Sequence, residues 1–402
     1  MEFFKCLHPD VIAFINDHLN DDPSQLMLQA NRFPEIPMTE VVIQLTGKQK
    51  AKDKLPEWYH NDQILYPVKL SMEQCSSTLT GMFKASLVEG ETGADLTGGF
   101  GVDAVYFADR FKDFYYIEQQ EALTKIAAHN FKVLQKDNVE VRCEDGLQFV
   151  KQLDEKLSFI YLDPARRGDR NEKVVRIQDC EPNVLEMMDT LLSKADQVML
   201  KLSPMLDIKQ AIQQMPNTQK VHVVSVQNEC KEIIFILANG DKQPVEICST
   251  NLLKDGSAQT FSYILNEEEY LASNYAETSK KYLYEPSTAI LKGGGYKSIG
   301  VAYDLEKLHP NSHLYTSDKL VEDFSGRVFE CEQAFGFGKK EIKKHLNMKQ
   351  ANITVRNFPL TVAQIRKKTG IQDGGEIYLF ATTDIKNQKV ILKCKKVLSD
   401  RA

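Results

Sequence analysis

Between residues 92 and 238 short apolar runs alternate with amphipathic stretches, and no other feature limits the possible fold as much. The runs ADL (94–96), FYYIE (114–118), VEVRC (139–143), FIYLD (159–163), QVMLKLS (197–203), KVHVVSV (220–226) and EIIFILA (232–238) have the length and residue types of buried strands. Between the first five lie VDAVYFADRF, QQEALTKIAAHNFKVL, DGLQFVKQL and PNVLEMMDTLL, with apolar residues at helical spacing. A helix after each strand returns the chain to the same end of the sheet. Such strands run parallel, joined by right-handed crossovers, with helices on both faces. QNECK, between the last two runs, is too short for a crossover and predicts an antiparallel hairpin. The expected fold class is α/β, with a Rossmann-like seven-stranded sheet over residues 86–242.

In a parallel sheet the carboxyl ends of the strands line one crevice, where ligands bind. Here the ends are acidic. Asp95 closes the first strand, Glu118 the second and Asp163 the fourth, and Asp145 follows the third by two residues. The first strand runs into DLTGGFGVDA, where Gly98, Gly99 and Gly101 permit a sharp turn and close approach of a ligand to the backbone. The spacing is not GxGxxG, and an acid heading the loop would repel a pyrophosphate but suit an ammonium group. Glu118 stands where an acid accepts hydrogen bonds from both ribose hydroxyls. Asp145, with Gly146 beside it, can receive an adenine amino group or simply cap the next helix. Four successive acidic ends are harder to explain as caps than one is.

The fourth strand continues into YLDPARR. A carboxylate at Asp163 and the backbone after Pro164 can accept the hydrogens of a conjugated amine and localise its lone pair for in-line attack. Arg166 and Arg167 have two readings: they stack on a flipped base or hold a phosphate, or they pair with Asp169 and Glu172 at the surface. Lys201 and Ser203, in KLSPM, end the fifth strand on the same side, as substrate contacts or as core and turn residues. Cys75, in EQCSS, reads as a nucleophile or as a buried apolar side chain. KGGGYKS lacks the GK[ST] end of a phosphate-binding loop, and RNFPL (356–360) reads as a strand-exit turn. His309 and His313 sit in a loop where no metal site is expected.

Residues 1–85 read as a helical region and 86–242 as the α/β domain. Residues 243–325 read as an α+β intermediary containing a strand pair around LKDGSAQ, and 326–402 as a βαβαββ domain. From Arg327 onward there are 16 Lys and Arg against 7 Asp and Glu, a formal +9, which leaves −15 on the remainder of a chain whose total is −6. A basic segment on an acidic body is the asymmetry of an appended nucleic-acid-binding domain, and equally of a solvated lysine-rich surface. The eight cysteines form no CxxC pair, no apolar run is long enough to span a bilayer, and the first residues lack a secretion signal, so a reducing cytoplasm is expected.

DLTGGFGVDA, YIEQQ, CEDG and YLDPARR resemble motifs one to four of class I S-adenosylmethionine-dependent methyltransferases, and EPSTAILKGG, HLYTSD, GRVFE and NITVRNFPL extend the resemblance to bacterial members with a ferredoxin-like insert and a C-terminal THUMP-like domain. The resemblance implies that Asp95, Thr97, Gly98, Gly99 and Gly101 face the methionine end of the cofactor, with Glu118 at the ribose and Asp145 and Gly146 at the adenine. Thr97 stands where many members have the first glycine. Asp163, Pro164 and Arg166 would be catalytic, and Gln74, Arg167, Lys201 and Ser203 would border the substrate. DPAR replaces the usual [DNS]PP[YFW], so no aromatic follows to stack on a base. The expected activity is S-adenosylmethionine-dependent methylation of a base amino group in structured RNA. The alternatives are a cofactor-binding RNA adaptor without catalysis, or a methyltransferase acting on a protein or small molecule.

Overall fold

The computed structural model describes residues 3–166, 176–241 and 243–397. The chain divides into two units: residues 1–219 with 234–242, and residues 220–233 with 243–402.

The first unit opens with helices, among them Pro9–Asp17, Met38–Lys54, Lys69–Gln74 and Thr78–Ala85. The last of these starts at a capping box, in which Ser77 and Thr80 each bond the other's backbone N–H. The sheet strands are β1 (Gly90–Asp95), β2 (Phe111–Ile117), β3 (Val139–Arg142) and β4 (Leu157–Leu162). The short pair β5 (Ala165–Arg166) and β6 (Cys180–Glu181) follows, then β7 (Ala195–Leu202), β8 (Thr218–Val226) and β9 (Glu229–Leu237). Strands β7, β4, β1, β2 and β3 lie side by side in that order, all parallel. The order reverses between β1 and β4, so the loops leaving those two strands diverge and open a crevice. Aromatic side chains fill one face: the Phe107 ring lies 4.9 Å from Tyr161 and 5.2 Å from Phe159. Each such buried ring contributes about 1.5–3 kcal/mol.

The expected hairpin is β8–β9. Its two-residue turn, Gln227 and Asn228, has φ of 49° and 65°, the left-handed pair that matches the twist of adjoining strands. The division between the units falls within both β8 and β9, and the last residues of β9 lie beside β7 in the first unit.

In the second unit β10 (Glu246–Leu252) and β11 (Ala258–Ile264) form the expected antiparallel pair. They do not stand alone. Strand β10 also pairs in parallel with β8 over seven residues, from Glu246 beside Lys220 to Leu252 beside Val226. Ile247 through Leu252 are all buried, a pattern that fits a strand with neighbours along both edges. A second sheet holds β12 (Tyr282–Pro286), β13 (Glu306–Lys307), β14 (Tyr315–Ser317), β15 (Gly326–Gly336), β16 (Asn352–Arg356), β17 (Ile377–Thr383) and β18 (Lys389–Lys396). Its spatial order is β13-β14-β12-β15-β18-β17-β16. The expected βαβαββ succession from residue 326 is present, with helices Lys339–His345 and Val362–Thr369 between its strands. Pairing of β12 with β15 makes it continuous with the strands before it.

Glu285, 1% exposed in β12, is held by two arginines. Arg327 Nε donates to its Oε2 at 2.8 Å and Arg356 Nη2 to its Oε1 at 2.9 Å. Removing one member of a buried ion cluster strands the others. Glu285→Ala should therefore destabilise the second unit by about 3–5 kcal/mol, read as a lower denaturant midpoint in its unfolding transition. A loss below about 1 kcal/mol would show that the arginines find water instead.

Candidate functional site

The loop after β1 is built by its own hydrogen bonds. Gly98 N–H donates to Ile117 O at 2.9 Å and Gly101 N–H to Gly98 O at 2.8 Å. A Cβ on Gly98 would lie 2.2 Å from the Tyr116 ring, and Gly101, at φ +86°, opens the helix Val102–Ala108 from the left-handed region. Thr97 does what a glycine in its place could not. Its hydroxyl receives the Asp163 N–H at 2.7 Å and faces Asp95 Oδ1 at 3.4 Å, joining the ends of β1 and β4.

A cavity of about 300 Å³ opens over this loop, within the size range of small-molecule sites. Asp95, Glu118, Asp145 and Asp163 all line it, as do Thr97, Gly98, Gly99, Gly101, Gly146 and Gln74. Each acid is positioned differently. Asp95 is 1% exposed and accepts the Thr97 N–H at 3.0 Å. Burial pushes its carboxyl well above the usual range; the Thr97 bond opposes this, and the charges of Asp103, Asp163 and Glu118 reinforce it. Glu118 is oriented by two backbone donors, Gly99 N–H and Gln120 N–H, both at 2.8 Å. Asp145 fills the capping role and still faces the cavity. Its Oδ1 caps the helix Gly146–Gln152 through Gln148 N–H at 2.9 Å, while Oδ2 accepts from Gln119 at the cavity wall.

Asp163 ends β4 with one carboxylate oxygen, Oδ2, paired to Lys201 Nζ. Lys201 pairs with the acid and is not among the cavity-lining residues. Ser203 makes a turn, its Oγ accepting from Met205 N–H at 3.2 Å. Ala165 lines the cavity one residue beyond Pro164, and β5 pairs with β6 to bring Glu181 to the same rim. Arg166 contributes its backbone to β5; its side chain and all of Arg167, with their suggested partners Asp169 and Glu172, lie outside the described residues.

The layer beneath the loop draws on residues within the motifs, Asp103 of DLTGGFGVDA and Tyr161 of YLDPARR, to which the motif reading gives no role. Asp103, 9% exposed, accepts Ser76 Oγ–H and Tyr161 O–H, each at 2.8 Å, and faces the fully buried Lys84 at 3.3 Å. Burial raises the Asp103 carboxyl, but Lys84, Lys201 and the two hydroxyls outweigh it, leaving the group below its ordinary value. The sequence does carry a signal for it: Val102–Ala108 is buried on every side, and a charged residue in such a helix must be paired. Lys84 carries no such signal, because its helix has an exposed face at Met82 where a lysine could equally stand.

An acid-rimmed crevice at the carboxyl ends of parallel strands, over a glycine loop, is the ligand site of an open α/β fold. Residues 282–324 match the family model of a ferredoxin-like domain, and residues 326–396 that of a THUMP domain-like segment. A crystal structure described as a "putative methyltransferase from Porphyromonas gingivalis W83" shares 32% identity over 96% of this chain and 97% of its own, with a TM-score of 0.86. The chain belongs to that methyltransferase family, with its ferredoxin-like and THUMP-like domains. An rRNA methylase from Streptococcus thermophilus aligns at 14% identity over 40% of this chain and 93% of its own, TM-score 0.31. A tRNA m1G37 methyltransferase from M. jannaschii aligns at 11% over 42% and 52%, TM-score 0.29. At that level neither likeness bears on substrate. No curated protein matches the chain. Among the described residues there is no His, Cys, Asp and Glu group that could hold a metal, and no helix long and apolar enough to cross a membrane.

Asp103→Ala removes the carboxylate facing Lys84 and should cost about 3–5 kcal/mol in the first unit, measured by denaturant unfolding. The double variant Asp103→Leu with Lys84→Met should recover most of that loss; an equal loss in both would mean the carboxylate matters for shape and not for charge.

Proposed function

We propose that the chain binds S-adenosylmethionine in this cavity and transfers its methyl group to a base amino group of structured RNA. The observation that carries the reading is the convergence of Asp95, Glu118, Asp145 and Asp163 on one cavity. The donor set fits the cofactor. Asp95 is a buried carboxyl whose acidic neighbours raise it further, a place where a cationic amino-acid moiety relieves repulsion. Glu118 and Asp145 are acceptors suited to ribose hydroxyls and an adenine amine. The cofactor supplies an electrophilic methyl group on a sulfonium.

The chain's part is to bind, orient and accept a proton. Asp163 Oδ1 takes a hydrogen bond from the acceptor amine, and Lys201 fixes Oδ2 so that the carboxylate cannot rotate away. The amine proton passes to this carboxylate as the new carbon–nitrogen bond forms, and from there to solvent. Ala165 leaves the space that an aromatic would fill, so the base is held by other contacts. The basic second-unit helices support RNA as the partner: Lys343, Lys344, Lys367 and Lys368 are exposed on them.

Calorimetry and methyl transfer test the assignments separately. Asp95→Ala and Glu118→Ala should abolish cofactor binding, whereas Asp163→Ala should bind normally and lose roughly a hundredfold or more in transfer of labelled methyl to RNA from cells lacking the protein. Normal binding by all three would exclude the cavity as the cofactor site. Cofactor binding without labelled RNA would favour the adaptor reading, and label in protein or small molecules would redirect the substrate.

The raised Asp95 carboxyl also sets a pH dependence. A cation binds its ionised form, so below that raised value the protein must shed a proton to bind. Affinity should therefore rise with pH as Asp95 ionises, at pH values above the ordinary carboxylate range and below the titration of the ligand's own amino group. The calorimetric heat should vary with the buffer's ionisation enthalpy, and Asp95→Asn should lose both effects. A flat profile in the unsubstituted protein contradicts the electrostatic assignment.

RNA affinity should fall steeply with salt, each phosphate neutralised by the protein contributing about 0.7–0.9 to the logarithmic slope. Charge reversal at Lys343, Lys344, Lys367 and Lys368 should flatten it. A salt-insensitive interaction would exclude phosphate contacts as its basis.

A further inference from the structure

Two of the eight cysteines, Cys331 in β15 and Cys394 in β18, stand directly opposite one another in an antiparallel ladder. The hydrogen-bond pattern fixes which kind of opposite pair they are. Cys331 N–H donates to Lys281 O at 2.8 Å, away from β18, so Cys331 and Cys394 form a non-hydrogen-bonded pair. In such pairs the Cα atoms are about 4.5 Å apart and the side chains are closest, within the roughly 4.4–6.8 Å that a disulfide spans. The pair is also asymmetric. Cys394 is fully buried in a cluster with Leu283, Phe329 and Leu392, whereas Cys331 sits at its partly exposed edge, with Ser279 Oγ 3.6 Å from its sulfur. The ladder register shifts between Cys331 and Gln333, so the strand is irregular where the outer thiol lies. A hydrogen bond from Cys394 lowers the Cys331 thiol to about 7, against the effect of burial, with Ser279 and the Gln333 backbone assisting. The lowered thiol is thus the partly exposed one of the pair, the position suited to first attack.

We propose that Cys331 and Cys394 are a redox-sensitive dithiol, whose oxidant is a small-molecule disulfide of the glutathione type. Cys331 thiolate attacks one sulfur of the oxidant, whose disulfide bond breaks and releases one glutathione thiolate. Cys394, giving up its proton, then attacks the Cys331 sulfur and expels the second. Two protein thiols become one disulfide, and the oxidant gains two electrons and two protons as two free thiols. The bond closes a stretch of chain carrying both basic helices, Lys339–His345 and Val362–Thr369. Packing alone would also place two small apolar side chains here, and that reading predicts no such chemistry.

The test uses the full chain, folded, in buffers of oxidised and reduced glutathione, followed by alkylation and peptide mass spectrometry. The expected result is the loss of two alkylatable thiols and one peptide pair linked through Cys331 and Cys394. Cys394→Ser should instead carry a glutathione adduct at Cys331, because the resolving thiol is gone. Cys331→Ser should carry none at Cys394. The proposal is overturned if both thiols stay reduced at a glutathione ratio that modifies the exposed Cys143, or if the Cys394→Ser variant forms no adduct at Cys331.

Discussion

One hydroxyl sets the geometry on which the site depends. Thr97 receives the backbone N–H of Asp163 and contacts the Asp95 carboxylate, so the residue that begins the glycine loop also locks the end of β4. The buried acid beneath the cofactor's expected position and the acid at the expected acceptor are therefore held by one side chain across the reversal in strand order. A glycine there would remove the hydroxyl link and leave the Leu96 N–H to Tyr161 O bond at 3.0 Å, and in-line transfer is sensitive to displacements of about an ångström. The departure from the usual motif thus has a structural use. Beneath it, Lys84, Asp103, Ser76 and Tyr161 form a buried, hydrogen-bonded polar layer.

What was legible in the sequence followed from two strong rules. Strand–helix alternation predicts a parallel sheet, and a parallel sheet brings its strand ends together, so four acids distant in sequence could be assigned to one rim. The hairpin was legible because QNECK leaves no room for a crossover. Less was available where pairing across distant segments decides the outcome. Nothing local marks Lys201 as the partner of Asp163, 38 positions earlier. Nothing in QPVEICSTNL says that it will pair beside β8. Asp103 is masked by the glycines beside it, which dominate the motif, although a lone acid in VDAVYFA is itself a signal.

The second unit distributes its charge differently. The buried Glu285 pairs with two arginines, while Lys343, Lys344, Lys367 and Lys368 stand exposed on the two helices. Fixed internal pairing with a basic exterior suits a domain that meets a polyanion without reorganising its core. The acid-rimmed cavity of the first unit is the electrostatic converse, and both features lie within one chain of net charge −6.

A crystal structure of the chain with S-adenosylhomocysteine would decide whether the four strand-end acids serve one nucleoside. It should show the ligand in the cavity over the glycine loop, its ribose hydroxyls on Glu118, its adenine amine toward Asp145 and its amino group at Asp95. A nucleoside bound elsewhere, or one in the cavity with its ribose turned away from Glu118, would contradict that assignment.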